Sequence, residues 1–292
     1  MVTGSWLTVK EQMPEVHATR LAERGDTAFT FDFTGFGESG GDARYARRER
    51  RGRVLEGDGL MDEDRVALVT GANRGLGMEC ARQLSALGFT VLLAARNRQR
   101  AHEAARAIGS PRVHAVVLDV TSETDVARCG DLIRRDHLGR LDVLINNAAI
   151  HYDTGQTVLT ADLHVVAEAL ATNLIGAWRV AQMAAGLMRP RRHGRIVNVS
   201  SGAGALASLD RHTPAYRASK VALNGLTLML ADELRESGIL VNAVCPGWVE
   251  TDMGGPGGRP VQDGARSILW AALLRDDGPT GGFFRDGRSI AW

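Results

Sequence analysis

The sequence RVALVTGANRGLG occupies residues 65–77 and predicts the architecture of everything that follows it. Its first half, Val66 to Thr70, is a short apolar run typical of a buried parallel strand. Glycines at positions 71, 75 and 77 follow, directly before a helical pattern. At such a junction the first N–H groups of the helix bind an anion, and the missing Cβ atoms let a pyrophosphate approach. The stretch indicates a dinucleotide site, although an ordinary glycine-rich turn has the same pattern.

From residue 65 onwards, strands of Val, Leu and Ile alternate with amphipathic helices. This alternation predicts an α/β fold with a doubly wound parallel sheet (Rossmann fold), in one catalytic domain over residues 65–292. Ligands of such sheets bind at the carboxyl ends of the strands, so residues just after each strand are the functional candidates. The predicted strands are 66–70, 89–95, 113–118, 141–146, 195–200, 239–244 and one near 282; the predicted helices are 75–87, 97–108, 122–138, 162–189, 214–236 and 262–275.

Amino-acid composition, charge and cysteine spacing limit the partners and the compartment that the protein can have. A hydrophobic content of 44% over 292 residues is enough for a sizeable core. Lys and Arg total 35 against 34 for Asp and Glu, which gives no electrostatic case for nucleic acid or an anionic membrane as a partner. The cysteines at 80, 129 and 245 lack metal-site spacing, so we expect no metal and a reducing compartment. With no long apolar run and no secretory signal, we expect a cytoplasmic protein.

The first 64 residues differ in pattern and are interpreted as an N-terminal extension that is poorly ordered or docked on the main domain rather than an independent domain. Residues 44–53 are rich in arginine and residues 56–64 are acidic, which is typical of a solvated linker. Residues 37–41, GESGG, have the G-x-S-x-G spacing of a nucleophile elbow. We reject Ser39 as a catalytic serine, because the arginine-rich run follows it where an apolar helix is needed.

Two arginines favour NADP(H) over NAD as the cofactor. An NAD enzyme is expected to place an acidic residue after the second strand to accept the ribose 2′-hydroxyl, but residues 94–97 read AARN. Arg96, together with Arg74 in the glycine turn, offers two guanidinium groups for a 2′-phosphate. The alternative is that either arginine is a solvated surface charge.

Polar residues also follow the third and fourth strands. Asp119 could accept a hydrogen bond from the adenine amino group, or it could equally cap the next helix. Asn147 and Ala148 lie in the run NNAA beside the glycine turn. The asparagine donors would hold the strand ends and admit the cofactor ribose.

Tyr216 and Lys220 are four residues apart, one turn along the same helix face. A tyrosine phenol ionises near pH ~10, so it needs a neighbouring positive charge to serve as an acid–base group at neutral pH. Ser201 ends the fifth predicted strand and so falls at the same edge of the sheet. The alternative is an accidental surface pair of tyrosine and lysine.

These motifs, in this order and spacing, resemble the short-chain dehydrogenase/reductase family over about residues 65–292, and the elements PGWVETDM and GGFFRDGR are most similar to its carbonyl reductase branch. The resemblance implies a catalytic tetrad of Asn173, Ser201, Tyr216 and Lys220, with Ser201 as the active hydroxyl. The expected cofactor-binding residues are Gly71, Asn73, Arg74, Gly75, Leu76, Gly77, Arg96, Asp119, Val120, Asn147, Ala148, Tyr216, Lys220, Pro246, Gly247, Val249 and Thr251.

The resemblance implies hydride transfer between a nicotinamide and a small-molecule ketone or aldehyde, or the matching secondary alcohol, with Tyr216 as acid or base. Ser201 would hold the substrate oxygen, Lys220 would lower the Tyr216 pKa and bind the ribose, and Asn173 would position a water. The alternative function is a non-catalytic NADP(H)-binding sensor that acts by interaction, which would not need the whole tetrad.

Residues 151–160, 202–213 and 253–260, with Trp248, are expected to select the substrate, and the glycine-rich segment 253–260 is expected to be a mobile lid. The family resemblance leaves monomer and homo-oligomer open, with helices 162–189 and 214–236 as the pairing surfaces. Separately, residues 5–41 resemble a strand and loop of α/β-hydrolases that lie upstream of the nucleophile, so they carry no triad.

Overall fold

A mostly parallel sheet organises residues 65–292, the part of the chain that this computed structural model describes. The expectations for the N-terminal extension, its linker and its hydrolase-like segment lie outside the described residues. The strands are β1 (Val66–Val69), β2 (Thr90–Ala95), β3 (Val113–Val117), β4 (Val143–Asn146), β5 (Gly194–Val199), β6 (Ile239–Val244), β7 (Phe283–Arg285) and β8 (Arg288–Ser289). The helices are α1 (Gly75–Ala86), α2 (Arg98–Ile108), α3 (Glu123–Asp136), α4 (Leu163–Leu170), α5 (Ala177–Met188), α6 (Pro214–Leu234) and α7 (Val261–Ala272).

The strand order is β3-β2-β1-β4-β5-β6-β7-β8, and β1 to β7 are parallel. The order reverses direction between β1 and β4, where a doubly wound sheet opens its ligand crevice. The predicted fold class is therefore confirmed. The exception is β8, which pairs antiparallel with β7. Asp286 and Gly287 both have positive φ, 52° and 73°, and so make a tight two-residue hairpin turn.

Each central strand is buried on both faces. In β1, Val66 and Leu68 pack into one core with helices α3, α5 and α6, while Ala67 and Val69 pack into another with α1, α2 and α7. All four are at most 2% exposed. This double burial explains why the strand sequences are continuous apolar runs rather than alternating ones.

The predicted helix 162–189 is not one regular α-helix. A π-helical segment, Ala171–Gly176, separates α4 from α5. The segment contains Asn173, and its last residue lies so close to Val120 that a Cβ on Gly176 would be 2.6 Å from the valine Cγ2. Such π-helical insertions are rare and often occur at functional sites. Within residues 65–292, no helix is both long and apolar enough to cross a bilayer.

Candidate active site

A pocket of about 380 Å³ opens at the carboxyl ends of the central strands, where the sequence predicted the site. It brings together predicted residues from four separate segments of the chain. Its lining is Leu76, Tyr152, Ser200, Ser201, Gly202, Ala203, Tyr216, Cys245, Pro246, Gly247, Trp248, Val249, Thr251, Met253, Gly254 and Arg285.

The glycine turn after β1 needs glycine for two physical reasons. Gly71 and Gly75 have φ of +62° and +52°, the left-handed region that favours glycine. At Gly77 the reason is close packing, because an added Cβ would lie 2.5 Å from the side-chain amide nitrogen of Asn147. An added Cβ on Gly71 would likewise lie 2.8 Å from the Cα of Ala148. The turn is therefore pressed against the segment that follows β4.

Asn147 connects the two strand ends at the switch point, as the sequence suggested. Its side-chain Nδ2 donates to the carbonyl oxygens of Thr70 (2.9 Å) and Gly71 (3.1 Å). Its backbone N–H and that of Ala148 both donate to the Thr70 hydroxyl, at 3.0 and 3.1 Å. These bonds fix the spacing between β1 and β4.

The start of α1 fits a pyrophosphate group. Its N-cap residue, Arg74, makes no side-chain capping bond, and the first turn contains no acidic residue. The first N–H groups of the helix are thus left without a described side chain to neutralise them, and they carry the positive end of the helix dipole. The closely packed, Cβ-free turn beside them gives an anionic ligand access to the backbone.

The two predicted phosphate-binding arginines lie at the surface. Arg74 forms an ion pair of 2.7 Å with Asp252, and both side chains are mostly exposed. Arg96 is exposed just after β2. A 2′-phosphate would therefore have to compete with the Asp252 carboxylate for one guanidinium group and would meet the other in solvent.

Asp119 does not cap helix α3. The N-cap is Ser122, whose hydroxyl accepts from the Asp125 N–H. Asp119 instead accepts from the backbone N–H and the hydroxyl of Thr121, at 2.9 and 2.7 Å. The capping alternative is therefore wrong, and contact with the adenine stays a prediction. The next residue, Val120, is buried against Gly176.

Ser201, Tyr216 and Lys220 meet in the pocket wall. The Ser201 hydroxyl, which accepts from the Ala203 N–H at 3.2 Å, lies close enough to the Tyr216 phenol to lower its pKa. The neighbouring Ser200 hydroxyl is buried and donates to Asn224 at 2.6 Å, which leaves Ser201 as the serine beside the phenol. The Lys220 ammonium lies 5.5 Å from the centre of the Tyr216 ring.

Burial is the largest cause of the pKa shifts of Tyr216 and Lys220. It raises the pKa of Tyr216 to about 12, with the Ser201 hydrogen bond acting in the opposite direction. Burial also lowers the pKa of Lys220 to about 8. The Lys220 Nζ donates to the Val199 carbonyl oxygen at 2.7 Å. The structure therefore differs from the expectation that Lys220 lowers the Tyr216 pKa, because desolvation of the phenol is the larger effect.

Asn173 links the segment after β4 to helix α6. Its Oδ1 accepts from the Ile150 N–H at 2.9 Å, and its Nδ2 donates to the Ile150 carbonyl (3.1 Å) and to the Ser219 hydroxyl (3.0 Å). The Ser219 hydroxyl in turn donates to the Tyr216 carbonyl oxygen at 2.7 Å. Asn173 is thus anchored to both sides of the site, and its role in holding a water remains a prediction.

Asp153 contributes to this site and was not singled out from the sequence. Its carboxylate accepts from the backbone N–H groups of Ala215 and Tyr216, at 3.0 and 3.2 Å, and so caps α6. The residue in the N-cap position, Thr213, has a left-handed backbone and makes no capping bond with its own side chain. A cap that comes from 62 residues upstream leaves no local signal in the sequence.

Two further residues line the pocket: Tyr152, from the segment 151–160 that was expected to select the substrate, and Arg285, which was not singled out from the sequence. Tyr152 places its ring edge-on to the Tyr216 ring, with 5.0 Å between the centroids. Arg285, at the end of β7, donates to the Cys245 sulfur at 3.1 Å. Within residues 65–292, no group of three or more His, Cys, Asp or Glu side chains is arranged to hold a metal ion.

Comparison with known proteins identifies similar chains. A family model described as short chain dehydrogenase matches residues 65–259. Carbonyl reductase [NADPH] 1 of Sus scrofa is 32% identical over 286 residues, which cover 80% of this chain and 96% of that protein. A 3-oxoacyl-(acyl-carrier-protein) reductase of Aquifex aeolicus is 35% identical over 194 residues, covering 65% of this chain and 76% of that one. The structure of an NADPH-bound carbonyl reductase from chicken fatty liver has a TM-score of 0.71 and 31% identity, with 78% of this chain and 99% of that chain covered.

Proposed function

Because the chain belongs to the short chain dehydrogenase family of oxidoreductases, we propose that it transfers a hydride between NADP(H) and a small-molecule ketone or aldehyde, or the matching secondary alcohol. The observation that carries this proposal is the contact of the Tyr216 phenol with Ser201, above the Lys220 ammonium, in the wall of the pocket. A carbonyl oxygen placed there would meet a hydroxyl donor and a phenol together.

The cofactor proposal combines the glycine turn with the relatives. Gly71 and Gly77 let the turn pack closely against the segment after β4, and a pyrophosphate would bind beside it at the uncapped start of α1. Similar carbonyl reductases are named for NADPH or were solved with it bound, which supports NADP(H) over NAD. Arg74 and Arg96 would hold the 2′-phosphate, and Pro246 to Thr251 would line the nicotinamide side of the pocket. When bound, the cofactor supplies or accepts the hydride.

Tyr216 would donate the proton that accompanies hydride transfer, with Ser201 and Lys220 assisting it. Since burial raises the Tyr216 pKa to about 12, the phenol stays protonated at neutral pH and can donate to the carbonyl oxygen as negative charge develops there. Ser201 would hold that oxygen by a hydrogen bond that strengthens in the transition state. In the reductive direction the phenol therefore begins as the protonated donor. Lys220, with a pKa of about 8, is suited to return a proton near neutral pH.

The test is the oxidation of NADPH, and in parallel of NADH, by a panel of ketones and aldehydes. We expect Tyr216→Phe to keep cofactor binding and to reduce turnover on the order of 100-fold or more, because the ring stays in place without its proton. Tyr152→Phe is the matched control, since it removes a hydroxyl from the neighbouring ring. Equal turnover in wild type and Tyr216→Phe would show that another group supplies the proton. Cofactor binding without turnover of any carbonyl compound would favour the alternative function, a non-catalytic NADP(H)-binding sensor.

Three further expectations belong to this proposal. The three cysteines at 80, 129 and 245 are free and buried, which supports the proposal that the protein functions in the reducing cytoplasm.

The helical regions 162–189 and 214–236 remain the proposed pairing surfaces if the protein is a homo-oligomer. We also propose that residues 1–64 are an extension dispensable for catalysis, which a chain beginning at Asp62 would test by its turnover.

A further inference from the structure

The pocket around Ser201 and Tyr216 has an uneven charge distribution. Among its lining residues in the described part of the chain, one is a charged side chain, Arg285. The others are apolar, aromatic or uncharged polar groups. No carboxylate lines the pocket to balance that positive charge.

The guanidinium group of Arg285 is held close to the catalytic serine. Its Nη2 donates to the sulfur of Cys245 at 3.1 Å and lies 2.9 Å from the position that a Cβ on Gly202 would occupy. Gly202 follows Ser201 directly in the chain, so the guanidinium and the serine hydroxyl border the same part of the pocket. A ligand that contacts both would need only a few bonds between its two polar groups.

Neighbouring carboxylates do not neutralise Arg285. The next residue, Asp286, has both carboxylate oxygens engaged by the Nη1 of Arg259, at 2.9 Å each. Within residues 65–292, Arg285 forms no ion pair with an acidic side chain. The Cys245 sulfur is a weak acceptor, whereas an arginine has five N–H donors. Most of the donor capacity of Arg285 is thus available to a ligand.

We propose that Arg285 binds an anionic group of the substrate, so that the preferred carbonyl compounds carry a carboxylate a few bonds from the carbonyl carbon. This inference rests on the proposed reductase function and adds the substrate class to it. An arginine pairs with a carboxylate through two parallel hydrogen bonds, which fix orientation as well as adding affinity. Arg285 is an exposed residue of the pocket lining, so the pair would form in contact with water, and the bound carboxylate would position the carbonyl group between Ser201 and Tyr216.

The experiment compares keto acids with their methyl esters. Benzoylformate, benzoylpropionate and benzoylbutyrate, each with its ester, place the carboxylate at increasing distances from the same aryl ketone. We expect wild-type kcat/KM to favour at least one acid over its ester by on the order of 3-fold or more, the effect of one charge-assisted contact to an exposed arginine. Arg285→Met should remove that preference, mainly through KM. Arg288→Met is the control, since it removes an arginine from the same hairpin outside the pocket.

Two results would overturn the inference. If Arg285→Met lowers kcat/KM equally for acid and ester, Arg285 serves the fold of the pocket and not an anion. If wild type reduces the esters as well as the acids, the pocket does not select the charge. When no carbonyl compound is reduced at all, the proposed function fails. In that case calorimetry with the NADP⁺-saturated protein tests the anion site by itself. Tighter binding of benzoate than of benzamide, lost in Arg285→Met, would support the anion site. Equal binding of the two compounds would refute it.

Discussion

The Asp153 carboxylate should hold the catalytic helix at its first turn. It accepts from the Ala215 and Tyr216 N–H groups, whereas Thr213, the residue in the N-cap position, makes no capping bond and has φ of 47° and ψ of 51°. Ala215 is 1% exposed, so water cannot readily replace the lost acceptor there. Asp153→Ala would leave two N–H groups at the start of α6 without an acceptor.

The expected magnitude follows from these contacts. Removing an N-cap acceptor costs about 0.5–2 kcal/mol, and a buried N–H left unsatisfied costs about 1–3 kcal/mol. Because both effects act on the same turn and overlap, we expect the free energy of unfolding to fall by about 2 kcal/mol. For a domain of this size that lowers Tm by roughly 4–8 °C. Asp153→Asn keeps one acceptor oxygen and should lose about half as much.

The assay pairs urea unfolding with steady-state turnover. Since the Tyr216 N–H is one of the two capped groups, Asp153→Ala should displace the phenol and reduce kcat on the order of 10-fold while NADPH binding persists. Glu233→Ala is the control, because Glu233 lies at the other end of the same helix, where it forms an exposed ion pair with Arg189 and does not touch the N-terminus. That variant should lose less than about 1 kcal/mol. If Asp153→Ala matches wild type in both stability and turnover, the capping argument is wrong.

Two further predictions concern the buried lysine and the glycine turn. The unfolded chain keeps the Lys220 proton up to its ordinary pKa of 10.5, whereas the folded protein, with a Lys220 pKa of about 8, releases it earlier. Without cofactor the free energy of unfolding should therefore rise by about 2 kcal/mol between about pH 8 and pH 9.5. Lys220→Met should abolish that rise in urea titrations, and an equal rise in both proteins would contradict the assignment. Gly77→Ala should destabilise the protein by about 1–3 kcal/mol and weaken NADPH binding, because its Cβ would lie 2.5 Å from Asn147 Nδ2 and 2.8 Å from the Gly71 carbonyl oxygen. The control Gly186→Ala, at an exposed position of helix α5 with open space around its Cβ, should be neutral or stabilising by up to about 1 kcal/mol in the same unfolding assay.

The fold was predictable where its signals are local. The strand β1 is an apolar run that ends at a glycine turn, and both features lie within thirteen consecutive residues, 65–77. The π-helical segment around Asn173 was not predictable, because it accompanies bonds to Ile150, 23 residues away. Strand β8 has two residues, too few for any periodicity, and its direction depends on the left-handed turn at Asp286 and Gly287.

The same distinction separates the site residues that were predicted from those that were missed. Tyr216 and Lys220 share one helix turn, so their spacing shows that they face the same side. Asp153 and Arg285 act across the fold, and an isolated Asp or Arg in a sequence gives no indication of what its side chain contacts. The pKa values are also a property of the tertiary structure: the spacing predicted a lowered phenol pKa, but burial raises it.

The segment after β4 connects the pocket to Tyr216, the proposed proton donor. His151 pairs with Glu168 of α4 at 2.6 Å, Tyr152 packs edge-on against Tyr216, and Asp153 caps the helix that carries it. These three consecutive residues therefore connect α4, the pocket lining and the start of α6. A substrate that contacts Tyr152 acts on the same segment that fixes the position of the Tyr216 backbone. Substrate fit and alignment of the acid should consequently depend on one another, because the structure gives them a common support.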